Sequence, residues 1–258
     1  MAENMQQNSM TTHFVSAILS LVETQGMSEE DRKVIREQVM QAVPNITDNP
    51  RDKTEPNAQL LVCMAFLLFV RVESLYGSAG PAELHFHPIF WDHPSSRVGP
   101  MHGDHDTFGV AIGSFAMTWE DVFYELAHEM VHFLNPVASA HERKVATLDE
   151  GVAVKFAENT YREFISGYTS HRPQTSPLTM PDKRYFPAYL ATVKIPDQVL
   201  AVVRNRFGSF SNINNIEAFG ALTSDYLDQS EIALLASPFS YPTPAASRSS
   251  TSHHPGDI

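Results

Sequence analysis

The stretch FYELAHEMVHFL, from Phe123 to Leu134, is the most informative part of the sequence for the fold. Its apolar residues recur every three or four positions, the spacing of a helix that is buried on most of its surface. Thr118 followed by Asp121 predicts a capping box at the start of this helix, and Pro136 is expected to end it. The sequence therefore predicts a central buried helix.

Two histidines on this helix are placed to share a ligand. His128 and His132 are one helical turn apart, so both imidazoles lie on the same face and can converge on one ion. Glu129 is offset by about 100° and can reach a water molecule without ligating the ion itself. The pattern H-E-x-x-H thus predicts two metal ligands and a general base. The alternative is two core histidines bonded to backbone carbonyls, with Glu129 at the surface.

A third ligand is expected downstream, since catalytic zinc sites usually have three protein ligands and one open position. Glu150 stands at the start of the next predicted helix, which runs from Thr147 to about Ile165. The spacing Thr147-x-x-Glu150 is also that of a capping box, in which the glutamate would close the helix end. The two roles compete for one carboxylate, and both remain open at this point.

The segments HEMVH and LDEGVA together resemble the gluzincins, the zinc metallopeptidases that include thermolysin-like and aminopeptidase-like families. The resemblance covers about residues 107–161. It implies one zinc ion per chain, with His128, His132 and Glu150 as ligands and Glu129 as the base. It also implies a zincin-like fold, in which an edge strand just before the active-site helix binds an extended substrate.

The chain departs from the gluzincin pattern near the third ligand. Asp149 stands where asparagine is commoner, and Val154 stands where thermolysin-like members have an aspartate that orients the first histidine. If His128 is a ligand, a residue other than the one at position 154 must therefore orient its imidazole. The mechanism also needs a hydrogen-bond donor for the oxyanion, and the sequence does not choose between several downstream candidates. They are His171, Tyr168, Tyr185, Tyr189 and Tyr226.

Further histidines precede the central helix. His85 and His87 alternate on a predicted strand and could chelate a second metal, but solvated loop residues are the preferred interpretation. The cluster consists of His85, His87, His93, His102 and His105. His253 and His254 in the C-terminal tail are interpreted as incidental.

The order of the predicted elements indicates an α+β protein with a small sheet, an edge strand on the active-site helix, and helical parts on both sides in sequence. Strands are expected over Glu83–Trp91 and Thr107–Met117, with a loop over Asp92–Asp106 between them.

We divide the chain into a flexible N-terminus (1–10), one metallopeptidase domain (11–240) and a disordered tail (241–258). Within the domain we expect a helical layer (11–80), the strands and active-site helices (83–165) and a C-terminal helical part (166–240). The predicted C-terminal helices are Phe186–Val193, Pro196–Arg206 and Ile216–Leu235.

Composition limits the partners and the cellular location that we expect for this protein. A formal net charge of −12 over 258 residues argues against nucleic acid and anionic membranes as partners. Cys63 is the one cysteine, so no intrachain disulfide forms, and its apolar neighbours predict a buried thiol. The apolar run Ala58–Val70 is too short to span a bilayer. The first twenty residues do not have the pattern of a signal peptide, so we expect a cytoplasmic protein, with export by another route left open.

These observations predict a zinc-dependent hydrolase that cleaves peptide bonds, with a peptide or protein as substrate. The acidic balance and the modest size favour a narrow-specificity endopeptidase. Two alternatives remain: an inactive gluzincin-like binding or scaffold protein, and a metal-free α+β domain in which both motifs are structural. The substrate-binding residues and the oligomeric state cannot be read from the sequence.

Overall fold

A computed structural model describes residues 14–23, 27–101, 106–137 and 145–241. The predicted flexible N-terminus lies outside these ranges. Helices form the first part of the described chain. They are α1 (residues 14–22), α2 (Glu29–Ala42), a 3-10 turn (Val43–Asn45) and α3 (Glu55–Tyr76). Ser28 caps α2 by accepting a hydrogen bond from the backbone N–H of Asp31. α3 ends at Gly77, whose φ of 92° favours glycine.

The long helix α3 is a core element. Its 22 residues exceed the apolar run seen in the sequence, and by length and composition alone the helix could cross a membrane. In the structure, 50% of its most apolar window is buried inside the protein, where α3 packs against α2 and against two later helices, Trp119–Phe133 and Asp197–Phe207. Cys63 lies on this helix with 1% of its surface exposed, and burial raises the pKa of its thiol to about 11. The prediction of a buried thiol is confirmed.

The first predicted strand is interrupted. Two short strands replace it, β1 (Glu83–Leu84) and β2 (Ile89–Phe90), and both run parallel to β4 (Thr107–Ile112). Pro88 lies in the interruption and has no N–H to donate to a neighbouring strand. An unpredicted strand, β3 (Arg97–Pro100), lies in the expected loop and pairs antiparallel with β4. The sequence RVGP has no alternating pattern, so only its pairing with β4 makes it a strand.

The strand before the central helix is an interior strand. Ala111 of β4 pairs with Ile89 of β2 and also with Arg97 of β3. A strand has two hydrogen-bonding edges, so both edges of β4 are occupied along this stretch. The prediction of an edge strand immediately before the active-site helix is therefore wrong. β3 is an edge of the sheet, and it packs with β4 against α4.

The central helix α4 (Trp119–Phe133) begins at the predicted capping box. The Thr118 Oγ1 accepts a hydrogen bond from the Asp121 N–H, and Asp121 Oδ2 accepts one from the Thr118 N–H, both at 3.2 Å. α5 (Thr147–Phe164) packs along α4. The described elements thus confirm an α+β fold, with a small mixed sheet and the helix pair α4–α5 at its centre.

Short helices complete the described chain after the irregular stretch that follows α5. They are α6 (Tyr185–Thr192), α7 (Asp197–Phe207), α8 (Ile216–Thr223) and α9 (Gln229–Ala236). The predicted helix Ile216–Leu235 is therefore two helices, and Asp228 in the turn between them caps α9. Gly151 allows α6 to approach α5 closely, since a Cβ there would lie 2.2 Å from Thr192 Oγ1.

The chain after α9 returns to the start of α5. Pro238 forms an isolated antiparallel bridge with Ala146. Tyr241, the first residue of the predicted tail, follows within the described residues. Residues 242–258, which are the rest of the predicted tail, lie outside the described residues.

Candidate metal centre

Two imidazoles converge on the buried face of α4. The Nε2 atoms of His128 and His132 are 3.2 Å apart, and each side chain is 16% exposed. The prediction that these two imidazoles lie on one face of the helix and converge is therefore confirmed. Both rings keep some access to solvent, which a ligand or substrate would need.

A carboxylate from α5 completes the group. Glu150 Oε2 lies 3.3 Å from the Nε2 of His128 and 3.6 Å from the Nε2 of His132. Ligand atoms placed tetrahedrally around one zinc ion at its usual bond lengths are about 3.3 Å apart. The three observed separations are close to this value, so the three ligand atoms are spaced as one bound metal ion would require. Among the described residues, one group of three or more His, Cys, Asp or Glu side chains brings its ligand atoms this close together, and it consists of these three.

The competing role of Glu150 is not observed. The residue before α5 is Ala146, and no side chain caps the helix end. Thr147 is the first residue of the helix and not its cap, and its Oγ1 donates to the carbonyl oxygen of Ser237 at 2.9 Å. Glu150 is therefore turned away from the helix end and toward the histidines.

Asp149 orients one of the two histidines. Its Oδ2 lies 2.9 Å from Nδ1 of His132. When Nδ1 carries the proton and donates it to this carboxylate, the lone pair of Nε2 faces the centre of the group. The sequence identified Asp149 only as a replacement for asparagine and missed this role. Its position directly before the third ligand was the available signal.

Glu129 is buried beside the ligands. It is 4% exposed, and its Oε2 has no hydrogen-bond partner among the described residues. Burial raises the pKa of this carboxyl to about 7, although the charges of His132 and His128 act in the opposite direction. A buried carboxylate without a partner is costly to the fold. A pKa near neutrality is also what a general base requires.

The charges within the group are strongly coupled. Burial acts to lower the pKa of His132, but the charges of Glu150 and Asp149 outweigh it and hold this pKa well above the usual value. Burial acts to raise the pKa of Glu150, but His132 and His128 lower it well below its usual range. Glu150 therefore stays ionised in a buried position, as a metal ligand must.

Two tyrosines lie against the group. The Tyr185 ring centroid is 6.4 Å from that of His128, and the Tyr241 hydroxyl donates a 2.7 Å hydrogen bond to Glu150 Oε1. Burial, with the charge of Glu150, raises the pKa of both hydroxyls, so both stay protonated. Tyr185 was among the predicted oxyanion donors. Tyr241 was missed because the composition of the tail predicted disorder.

The other predicted donors have different surroundings. His171 Nε2 lies 2.8 Å from Asp121 Oδ1, at the start of α4. Tyr168 and Tyr226 are exposed on the surface, and Tyr189 is buried within α6.

The second cluster of histidines does not form a metal site among the described residues. The exposed rings of His85 and His87 stack with their centroids 5.0 Å apart, and His93 packs against Trp91. His102 and His105 lie outside the described residues, as do His253 and His254.

Comparisons of the chain with protein-family models, with curated proteins and with solved structures found no match. The chemistry of the site is therefore what supports a function.

Proposed function

We propose that this protein is a zinc-dependent hydrolase that cleaves peptide bonds, a gluzincin-like metallopeptidase with a zincin-like fold and one zinc ion per chain. The observation that carries the proposal is the convergence of His128, His132 and Glu150 beside the buried carboxylate of Glu129. Two imidazoles and one carboxylate are the ligand set of catalytic zinc sites, whereas structural sites are richer in cysteine.

A zinc ion bound there would polarise the scissile carbonyl and lower the pKa of a water molecule toward neutrality. Glu129 accepts a proton from the attacking water as the water oxygen bonds to the carbonyl carbon. It then delivers that proton to the amine nitrogen as the carbon–nitrogen bond breaks. Burial raises the pKa of this carboxyl and favours uptake of the proton, and the positive charge of a bound metal would favour its release.

Tyr185 is the best-placed donor for the oxyanion. It begins α6 and packs against His128, and its raised pKa keeps the hydroxyl proton available for donation. The negative charge that develops on the carbonyl oxygen would accept this hydrogen bond.

The substrate is proposed to be a peptide or protein that reaches the site in an extended form. Both edges of β4 are occupied, so a peptide that pairs with the sheet must use another strand. Of the outer strands, we favour β3 because it packs against α4. We retain narrow-specificity endopeptidase as the proposed activity and the cytoplasm as the proposed location. Nucleic acid and membrane remain excluded as partners in this proposal because of the acidic net charge.

The decisive variant is Glu129→Gln, which removes the proton acceptor while keeping the size of the side chain. Protein purified without chelator should contain close to one zinc per chain in both wild type and variant. The two proteins are then incubated with a cell lysate, and new protein N-termini are identified by mass spectrometry. Wild type should generate cleavage products that chelator suppresses, and Glu129→Gln should lower them on the order of 100-fold or more.

The control separates the alternatives. Glu163→Gln makes the same chemical change at an exposed position on α5 and should leave zinc content and cleavage unchanged. Folded wild type without zinc would support the metal-free interpretation, in which Asp149 and Glu150 simply pair with protonated histidines. Zinc binding with identical products from wild type and Glu129→Gln would exclude Glu129 as the base.

A further inference from the structure

The chain after α9 crosses the start of α5 as a short segment, Ser237–Tyr241, which we call the C-terminal strap. The carbonyl oxygen of Ser237 accepts hydrogen bonds from the backbone N–H and the Oγ1 of Thr147, at 2.8 and 2.9 Å. The N–H of Phe239 donates to the carbonyl oxygen of Val145 at 2.7 Å. These backbone bonds fix the strap directly beside the helix that carries Glu150.

Aromatic rings connect the strap to the metal-centre residues. The Phe239 ring lies 4.9 Å from that of Tyr185 and 5.0 Å from that of Tyr241, and Tyr185 in turn packs against His128. Pairs of aromatic rings at these separations are attractive beyond their buried area. The strap is therefore held by packing as well as by backbone hydrogen bonds.

The end of the strap acts directly on the third ligand. The Tyr241 hydroxyl donates to Oε1 of Glu150 at 2.7 Å, while Oε2 of the same carboxylate faces the two imidazoles. A carboxylate can bind a metal through one or both oxygens. The hydrogen bond to Oε1 favours binding of a metal through Oε2 alone, which would leave a coordination position open as a catalytic site requires.

We propose that Tyr241 is a positioning residue for Glu150, and that docking of the C-terminal strap and binding of the metal are thermodynamically linked. The inference rests on the metal site of the proposed function, but not on peptidase activity. Linkage is reciprocal: if a docked strap strengthens metal binding by some factor, bound metal strengthens docking by the same factor. Partners that orient metal ligands typically contribute a factor of about 10–100 in metal affinity.

The first test compares two tyrosine variants by equilibrium chelator competition for zinc. Tyr241→Phe removes only the hydroxyl that contacts Glu150, and its zinc affinity should fall at least about tenfold. Tyr76→Phe is the matched control, because its buried hydroxyl bonds to Asp197, a carboxylate outside the site. The control should bind zinc as wild type does. Equal affinities of wild type and Tyr241→Phe, or equal losses in both variants, would overturn the proposal.

The second test uses hydrogen exchange of backbone amides and needs no variant. In wild type, saturating zinc should slow exchange of the Phe239 amide by at least about the factor that Tyr241→Phe loses in affinity, because undocking of the strap also removes the Tyr241 hydroxyl from Glu150. The Gly77 amide, which bonds to Glu73 at the end of α3, should change much less and reports any general stabilisation. Equal slowing of both amides would refute the linkage. If wild type binds no zinc, the metal site and this inference both fail, whereas zinc binding without protection of Phe239 refutes the inference alone.

Discussion

At the scale of single residues, Glu150 combines the interactions on which the site depends. One carboxylate oxygen faces both imidazoles and the other accepts the Tyr241 hydroxyl, in a side chain that is nearly inaccessible to solvent. A buried charge is costly unless it is paired and hydrogen-bonded. Glu150 is paired with the two histidines and hydrogen-bonded at Oε1, but its buried Oε2 has no hydrogen-bond partner among the described residues, which a metal ion would supply. No side chain caps α5, so a substitution of Glu150 changes the site without removing a helix cap.

We expect Glu150→Gln to lower zinc affinity at least about tenfold, because the amide keeps the shape of the side chain but removes the charge that faces the metal. Equilibrium chelator competition measures the effect. Glu163→Gln, at an exposed position of the same helix, is the control and should bind zinc as wild type does. An unchanged affinity of Glu150→Gln would mean that Glu150 is not a ligand.

Cys63 gives a residue-scale prediction that is independent of the site. With a pKa of about 11, roughly one thiol in a thousand is ionised at pH 8, and the side chain is 1% exposed. A thiol reagent should label Cys63 completely in the unfolded chain. Over the same time, we expect it to leave the native protein unlabelled. The thiolate fraction rises with pH, so any native reaction should accelerate toward pH 10. Rapid labelling of the native protein at pH 8 would contradict the burial of Cys63.

At the scale of elements, the sequence predicts α4 well and the sheet poorly. The apolar spacing of α4, its capping box and its two histidines are local patterns, so His128, His132 and Glu129 could be identified directly. Strand pairing depends on partners elsewhere in the chain. Nothing within RVGP indicates that it lies beside β4, and β4 itself gives no sign that both its edges are occupied.

The contact between α5 and α6 allows an element-scale prediction. A Cβ added at Gly151 would lie 2.2 Å from Thr192 Oγ1 and 2.9 Å from the carbonyl oxygen of Ala188. We expect Gly151→Ala to lower the free energy of unfolding by about 1–3 kcal/mol or more, because backbone must move to relieve the second contact. Chemical denaturation measures the change. Gly167→Ala, which meets nothing within 4 Å, should be close to neutral, and equal stabilities of the two variants would contradict the close approach.

At the scale of the whole molecule, the candidate site joins parts that are far apart in sequence. α4 supplies His128, His132 and Glu129, α5 supplies Glu150, α6 supplies Tyr185, and the C-terminal strap supplies Tyr241. The first two contributions carry sequence patterns and could be predicted. Tyr241 could not, because a tyrosine beside a Ser- and Pro-rich tail has no local feature that indicates contact with Glu150.

A ligand that connects α4 and α5 should stabilise the entire fold. We expect zinc at a free concentration 100-fold above its dissociation constant to add about 2.7 kcal/mol, provided that the unfolded chain does not bind it. For a chain of this size, that corresponds to a rise in Tm of about 5–10 °C in a thermal unfolding experiment, reversed by chelator. Magnesium should have no such effect, since it prefers octahedral oxygen ligands.

Two histidine variants locate the effect. His132→Ala removes one imidazole of the group and should abolish the zinc-dependent rise in Tm, while its Tm without metal reports any separate loss of stability. His85→Ala removes an exposed imidazole outside the group and should keep the full rise. If His132→Ala is stabilised as much as wild type, zinc binds elsewhere on the protein. If neither wild type nor His85→Ala is stabilised, His128 and His132 hold α4 and α5 together only through ion pairs with Asp149 and Glu150.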